Sequence, residues 1–181
     1  MLKAVIDVET TGFKLGFNEI IQLAIVMFDN DFEPTGLQYV SYIRPNRPNN
    51  FHPNAKAANK IDIELINPNL NANVVRAGFL EWKANLFGKE KIFPLGHNFS
   101  FDKNFLELFL TADLYSAHFD YHFADSMVLA RALQDKGKLK GSKVNLKALA
   151  ETLGVVNENP HNAYYDALTT LKIYKELMKL L

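Results

Sequence analysis

The sequence predicts an α/β fold with a mixed five-stranded sheet and helices packed on its faces. Three strand-like runs near the N-terminus are joined by short connections, which is typical of an antiparallel meander. Beyond them strand-like and helical patterns alternate, which is typical of further, parallel strands with helices between them. With 181 residues and 48% hydrophobic content, the chain suits one compact domain over residues 1–181, and we expect no second domain.

The meander is predicted within residues 4–45. Its first strand lies in AVIDVETTG, residues 4–12, its second in NEIIQLAIVMFDND and its third in LQYVSYIRP. All three are rich in β-branched and aromatic residues or alternate with the period of a strand. Prolines and asparagines dominate residues 44–54, which predicts a loop after the third strand.

Helical periodicity begins after this loop. A first candidate helix lies in AKAANKIDIELI, and a clearer one in ANVVRAGFLEWKANLFG ends at the stop signal Gly88. The apolar face of the second helix is formed by Val75, Phe79, Trp82 and Leu86. The buried strand KIFPLGHN precedes a helix in SFDKNFLELFLTA. The predicted inward stripe of that helix is Phe101, Phe105, Leu108 and Phe109.

The remaining segments repeat the order of strand and helix. HFADSMVLARAL predicts a strand that gives way to a helix capped by Asp125. Ser142 is predicted to cap the helix in VNLKALAETLG, and the last helix lies in NAYYDALTTLKIYKELMKLL. The predicted inward residues of these two helices are Leu146, Leu149, Leu153, Leu171, Tyr174, Leu177 and Met178.

Composition limits the classes of partner. Lys plus Arg and Asp plus Glu both number 20, so a polyanion would be held by local charge or by a metal ion rather than by a globally basic surface. The chain has no cysteine, which excludes disulfide and thiolate chemistry and fits a reducing compartment. No apolar run approaches the roughly 18 residues of a membrane span, so we expect a soluble cytoplasmic protein without a membrane partner.

The first strand raises the question of two neighbouring acids. Side chains two positions apart leave the same face of a strand, so Asp7 and Glu9 point together, while Ala4, Ile6 and Val8 face the other way. Burying two like charges without compensation is costly. Either the pair is solvated at a sheet edge, or a cation neutralises it.

Three further polar residues lie at similar boundaries between elements. Asp102 follows a predicted strand in HNFSFD and is either a helix cap or a ligand. In PHNAYYDA, five residues separate His161 from Asp166, about 140° apart on one helix, which predicts His161 on the loop and Asp166 one turn inside. Taken alone, the favoured interpretation of His161 is an ordinary loop histidine.

The four acids together suit one kind of chemistry. Oxygen ligands without cysteine or paired histidines favour magnesium or manganese over zinc. Two such ions about 3.5–4 Å apart stabilise the attacking and departing oxygens of an in-line phosphoryl displacement. His161 is able to take a proton from the attacking water near neutral pH, since the ordinary pKa of histidine lies near 6.5.

The ordered motifs DVETTG, HNFSFD, ADSMVLAR and PHNAYYDA resemble those of the DnaQ-like DEDDh 3′-to-5′ exonucleases. This family has the ribonuclease H-like fold and includes polymerase proofreading subunits, ribonuclease T and oligoribonuclease. The resemblance covers essentially the whole chain and implies that His161 is the general base. It implies two Mg²⁺ or Mn²⁺ ions, with the first acid as the bridge, held by Asp7, Glu9, Asp102 and Asp166. The related DEDDy group carries a tyrosine where this chain has Asn162, so the resemblance favours DEDDh.

The same resemblance implies a substrate and its contacts. It implies hydrolysis from the 3′ end of single-stranded or frayed DNA with release of nucleoside 5′-monophosphates, and RNA is a second candidate substrate. It also implies a DNA polymerase as a candidate partner. Residues after the first Glu cradle the terminal nucleotide in the family, which points to Thr10, Thr11, Gly12 and Phe13. Phe13 either stacks on a base or closes the turn over the core. In ANKIDIEL, Lys60 stands where the family usually carries glycine.

Three other patterns carry weaker hypotheses. His118 and His122 have the spacing of helical zinc ligands, but the segment lacks the glutamate expected between them and runs into a predicted strand. His97 and Asn98 are expected to order the loop before Asp102 through hydrogen bonds. A run of lysines is either a local phosphate contact or a solvated loop: Lys136, Lys138, Lys140, Lys143 and Lys147.

Two alternatives compete with the exonuclease hypothesis. One is a non-catalytic nucleic-acid or polymerase-binding module that keeps an exonuclease-like fold, which the intact carboxylates argue against. The other is a phosphatase of another fold with an aspartate pair on a strand, which the order of the motifs after residue 97 disfavours.

Overall fold

A computed structural model describes all 181 residues and shows the predicted mixed sheet. Its five strands lie in the order β3-β2-β1-β4-β5. The strands are β1 (Leu2–Thr10), β2 (Ile20–Phe28), β3 (Pro34–Tyr42), β4 (Ile92–Gly96) and β5 (Ala124–Asp125). The three-strand meander is antiparallel, whereas β4 pairs in parallel with both β1 and β5. The carboxyl ends of β1, β4 and β5 therefore meet at one edge of the sheet.

Seven α-helices surround this sheet. They are α1 (Pro53–Asn59), α2 (Ala72–Phe87), α3 (Phe99–Leu110), α4 (Ala112–His118), α5 (Ser126–Asp135), α6 (Leu146–Leu153) and α7 (Ala163–Met178). Short 3₁₀ turns lie at Pro48–Asn50 and Ile63–Leu65. None of the helices is both long and apolar enough to cross a membrane.

The two faces of β1 belong to different hydrophobic clusters. Ala4, Ile6 and Val8 pack in a cluster with residues of α2 and α3, as the alternation in the sequence predicts. Val5, on the opposite face, packs with residues of α7. Helices therefore cover both sides of the strand that carries Asp7 and Glu9. Their first turns bring further side chains to its carboxyl end.

Several predicted helix details differ from the structure. The first candidate helix begins earlier, at Pro53, and ends at Asn59, because Lys60 adopts a left-handed conformation. The cap of α6 is Asn145, whose side chain accepts the Ala148 N–H at 2.9 Å, whereas Ser142 lies outside the helix. Asp125 caps α5, as predicted.

Two leucines predicted to be inward are exposed. Leu108 is 56% exposed because the buried face of α3 is centred between Leu106 and Phe109, and Leu108 lies about 130° from that centre around the helix. Leu86 is 47% exposed in the last turn of α2, where Lys83 takes a buried position and donates from Nζ to the carbonyl of Gly88. The helical period predicts a face, but not how much of that face the sheet covers.

Candidate active site with a carboxylate cluster

Acidic side chains from three elements meet at the carboxyl end of β1. Asp7 and Glu9 lie on β1, Asp102 lies in the first turn of α3, and Asp166 lies in the first turn of α7. Helix α3 begins at this edge because it follows the carboxyl end of β4, whereas the start of α7 is held there by the N–H of Ala163, which donates to Gln22 Oε1 on β2 at 3.0 Å. The structure thus brings together the four acids that the sequence separates by up to about 160 positions.

Asp102 connects α3 to the first strand. It is 4% exposed, and its Oδ1 accepts the backbone N–H of Val8 at 3.0 Å. Residues 97 and 98 order the preceding loop, as predicted: His97 Nδ1 lies 2.8 Å from Ser126 Oγ, and Asn98 donates its N–H to Asp125. Because both ends of this loop are hydrogen-bonded, Asp102 is held at a defined place beside β1.

Asp166 is fixed through both of its oxygens. It is 6% exposed; Oδ1 accepts Asn157 Nδ2 at 2.6 Å, and Oδ2 accepts the backbone N–H of His161 at 2.9 Å. His161 precedes α7 with φ +66° and has an exposed side chain, so it lies on the loop side of the helix boundary, as predicted. Asn157 was not among the predicted site residues, since a loop asparagine without a motif carries no sequence signal.

Three of the predicted residues form a group suited to a metal ion. One potential ligand atom each from Glu9, His161 and Asp166 lies within 4.8 Å of the others. Asp7 and Asp102 are close enough to this group for their charges to interact with it. The cluster therefore contains all the predicted acids together with the predicted histidine.

Burial and mutual repulsion favour protonation in the first two carboxyl groups. The pKa of Glu9 is raised to about 7, first by burial and then by the charge of Asp166, while a hydrogen bond from Asn59 opposes the shift. The pKa of Asp7 is raised well above its usual range by burial, followed by the charges of Asp102, Glu9 and Asp166. These shifts show how strongly the carboxylates oppose one another's ionisation.

The other two carboxyl groups show the same balance. Burial is the largest cause that raises the pKa of Asp102, and the N–H of Val8 opposes it. Burial also raises the pKa of Asp166, while the hydrogen bonds from Asn157 and His161 lower it. None of the protein's ion pairs involves the four clustered acids. Hard divalent cations fit such an oxygen-rich cluster, because they would supply the positive charge that the side chains lack.

The turn after Glu9 is held together by its own side chains. Thr10 Oγ1 donates to the carbonyl of Gly12 at 2.6 Å, and the fully buried Thr11 accepts the N–H of Glu19 at Oγ1, 3.0 Å away. A Cβ at Gly12 would lie 2.7 Å from Asn18 Oδ1, which explains the glycine. The two threonine hydroxyls thus stabilise the turn from within.

Aromatic rings surround this turn on the solvent side. Phe13 is 70% exposed, and its ring centroid lies 6.4 Å from that of His52 and 6.1 Å from that of Phe101. The turn therefore presents Phe13 to solvent rather than closing it over the core. Phe101 directly precedes Asp102, so these rings stand at the rim of the carboxylate cluster.

A second amide, that of Asn59, supports the turn from α1. It is buried and donates from Nδ2 to the carbonyl of Thr10 at 3.2 Å, in addition to its hydrogen bond with Glu9. The following residue, Lys60, has φ +56°, a conformation that glycine adopts without strain. This geometry accounts for the glycine that the resemblance places here.

The weaker sequence patterns lie away from a common site. His118 ends α4, whereas His122 lies beyond it and pairs with Asp120 at 3.1 Å. In the lysine-rich loop, Lys138 donates to the carbonyl of Leu181, beyond the far end of α7. The rise of a helix places that end about 20 Å from Asp166. Lys138 is therefore too remote for a phosphate bound at the cluster.

Comparison with known proteins agrees with this geometry. The family model for RNase T, described as an exonuclease, matches residues 4–174. The chain is 28% identical over 167 residues to the DNA polymerase III PolC-type of Pediococcus pentosaceus; the alignment covers 92% of this chain and 10% of that relative.

Solved nucleases share the fold. E. coli exonuclease I in complex with a dA16 oligonucleotide superposes with a TM-score of 0.79 at 17% identity, covering 98% of this chain and 41% of that one. Cell-death related nuclease 4 (CRN-4) gives a TM-score of 0.76 at 17% identity, covering 98% of this chain and 64% of that one. The chain thus spans less than two thirds of each relative. Because the family model covers nearly its whole length, the chain belongs to the RNase T exonuclease family.

Proposed function

We propose that the protein is a DEDDh-type 3′-to-5′ exonuclease that acts on single-stranded or frayed DNA, with RNA as a second substrate, and releases nucleoside 5′-monophosphates. The observation that carries this proposal is the convergence of four carboxylates and His161 at one sheet edge, without a cationic side chain to neutralise them. Membership of an exonuclease family supports it.

Two Mg²⁺ or Mn²⁺ ions fit the cluster as cofactors. Asp7, Glu9, Asp102 and Asp166 would hold them, with Asp7 as the bridging ligand. When bound, such ions stabilise the attacking and leaving oxygens of an in-line displacement at phosphorus. The carboxylates then act as ligands in their ionised form, which the raised pKa values disfavour while no cation is bound.

His161 is the proposed general base. Its backbone N–H is anchored to Asp166, while its side chain is exposed at the edge of the cluster. This arrangement leaves the imidazole free to turn toward an attacking water and take its proton. The proton passes from the water oxygen to a ring nitrogen, and the resulting hydroxide attacks the phosphorus of the terminal phosphodiester. The bond from phosphorus to the 3′ oxygen of the preceding nucleotide breaks, and this oxygen leaves with the shortened strand and takes a proton from solvent.

The exposed rings at the rim suit a single strand. Phe13 and His52 are exposed and Phe101 is half-buried beside Phe13, and these rings offer faces on which unpaired bases stack, whatever their sequence. Thr10, Thr11 and Gly12 are buried in the turn that carries Phe13, and this turn would cradle the terminal nucleotide. A paired end would have to fray before its bases reach these rings.

A direct assay tests the proposal. Oligonucleotides labelled at the 5′ end, as single-stranded DNA, 3′-recessed duplex DNA and RNA, are incubated with Mg²⁺ or Mn²⁺. We expect a ladder of shortened products that disappears with EDTA and with Asp7→Ala, but persists with the exposed control Asp135→Ala. Endonucleolytic fragments, or intact substrate under all conditions, would reject the activity.

An adaptor role is the second candidate, favoured by the similarity to a PolC-type DNA polymerase. A polymerase is accordingly the proposed protein partner, but an adaptor without catalysis has no need of metal ions. Calorimetric titration with Mn²⁺ distinguishes the two: the exonuclease proposal predicts two bound ions per chain, and an adaptor predicts none.

A further inference from the structure

Lys60 occupies a backbone conformation that is unfavourable for its residue type. It follows α1 with φ +56° and ψ +17°, and its N–H donates to the carbonyl of Lys56 at 3.1 Å to close the helix. Side chains with a Cβ are strained in this left-handed region, whereas glycine is not. Capping alone therefore calls for glycine, and strain at the margin of a site suggests that the side chain has a task of its own.

The side chain of Lys60 is free, and the residue lines a groove that reaches the carboxylate cluster at His161. It is exposed and takes part in none of the protein's ion pairs. It lines a groove of about 610 Å³ whose walls also include Asn59, Asp62 and His161. One carboxylate oxygen of Asp62 accepts the N–H of Glu64 at 3.0 Å. Lys60 is thus the one lysine or arginine that lines this groove.

We infer that Lys60 binds a backbone phosphate of the nucleic-acid strand in this groove, an inference that rests on the proposed function. The adjacent residue, Asn59, is hydrogen-bonded to the turn after Glu9, so the backbone of Lys60 is tied to the site. A strand whose terminal phosphodiester lies at the cluster would place a neighbouring phosphate in the groove. An ammonium group there provides a point charge for it without sequence preference.

The substitution Lys60→Gly separates strain from function. It should raise the melting temperature by about 2–4 °C, because glycine relieves the strain. It should also weaken binding of a fluorescent dT12 strand about three- to tenfold, measured by anisotropy with Ca²⁺ in place of Mg²⁺. Lys60→Arg should keep the wild-type affinity, since it preserves the charge. Lys91 directly precedes β4, at the end of the sheet away from the cluster. Lys91→Gln therefore controls for the loss of one positive charge and should leave the affinity for dT12 unchanged.

The salt dependence of binding provides an independent readout. For single strands, each lost phosphate contact reduces the slope of log affinity against log salt by about 0.7, so Lys60→Gly should reduce the slope by that amount and Lys91→Gln should not. A raised melting temperature with unchanged affinity and slope would overturn the inference and leave Lys60 as a helix cap only. This result would overturn the inference about Lys60 even if the wild-type protein shortens oligonucleotides in the exonuclease assay. If the wild-type protein gives no shortened products with metal present, the proposed function itself is rejected.

Discussion

At the scale of single residues, the site depends on side chains that orient the acids as well as on the acids themselves. Asn157 is the clearest example, because its amide donates to Asp166 while its own Oδ1 is buried without a hydrogen-bond partner. The amide cannot turn round, since its oxygen would then face the carboxylate.

Removing the Asn157 amide should therefore weaken metal binding. Asn157→Ala leaves Asp166 Oδ1 without its donor, and we expect a loss of about 10–100-fold in Mn²⁺ affinity by calorimetry. Asn159→Ala, an exposed asparagine in the same loop, is the matched control and should bind Mn²⁺ normally. Equal affinities for the two variants would show that Asn157 has no part in positioning Asp166.

His161 should affect the rate and not the metal. We expect His161→Ala to lower kcat by about 10²–10⁴-fold, because the attacking water loses its proton acceptor. Two equivalents of Mn²⁺ should still bind, which calorimetry on the same preparation would measure. An unchanged kcat would remove the general-base role, whereas loss of the Mn²⁺ ions would make His161 a ligand instead.

Residue type and spacing predicted the acids and His161, but not the amides around them. Asp7 and Glu9 were predictable because strand alternation places them on one face, and Asp166 because it follows His161 by a fixed interval. Asn157 reaches Asp166 from an irregular loop whose path depends on tertiary packing. Asparagine in a loop usually means a turn, so its position carried no signal for this contact.

At the scale of elements, the residue at which a helix begins determines where its side chains lie. The cap of each helix start is set by local hydrogen bonds. The structure assigns the cap of α6 to Asn145, whose Oδ1 accepts the Ala148 N–H. The sequence pattern predicted Ser142, but serine and asparagine are both good caps, so only the observed helix start decides between them.

The capping assignment has a simple stability test. Asn145→Ala should lower the free energy of unfolding by about 1 kcal/mol, or about 2–4 °C in melting temperature, because Ala148 loses its acceptor. Ser142→Ala should change stability by less than about 0.5 kcal/mol, since Ser142 is exposed and lies outside the helix. Thermal melts of both variants measure this difference, and the reverse order would restore the sequence-based assignment.

The order of strands and helices was predictable, while the extent of burial was not. Alternation and helical period predicted the meander and the clearer helices, because both patterns reflect local geometry. The exposure of Leu108 depends on which part of α3 faces the sheet, and the remoteness of Lys138 depends on where α7 ends. Both are properties of packing between distant segments.

At the scale of the whole molecule, the carboxylate cluster makes stability depend on pH and metal. Glu9 has a folded pKa of about 7 against an ordinary value of 4.5, so its stabilising contribution is complete below pH 4.5 and is lost as pH rises through 7. This difference between the two pKa values corresponds to a change in the free energy of unfolding on the order of 3 kcal/mol. A divalent cation that binds only the folded protein should oppose the loss.

Thermal melts in EDTA should therefore show a melting temperature several degrees lower at pH 8 than at pH 5. Glu9→Gln should reduce this difference, because the amide does not ionise, and Mg²⁺ at pH 8 should raise the melting temperature of the wild type. Glu151→Gln, on the exposed side of α6, serves as the control. The same pH dependence in Glu9→Gln and wild type would contradict the assignment of the raised pKa to Glu9.

The most direct test of the whole account is anomalous diffraction from a crystal grown with Mn²⁺. The account predicts two manganese peaks in the pocket formed by the four acids, about 3.5–4 Å apart, with Asp7 between them. Absence of manganese from this pocket at saturating concentration, or manganese bound only elsewhere, would contradict the claim that these carboxylates form a two-metal site.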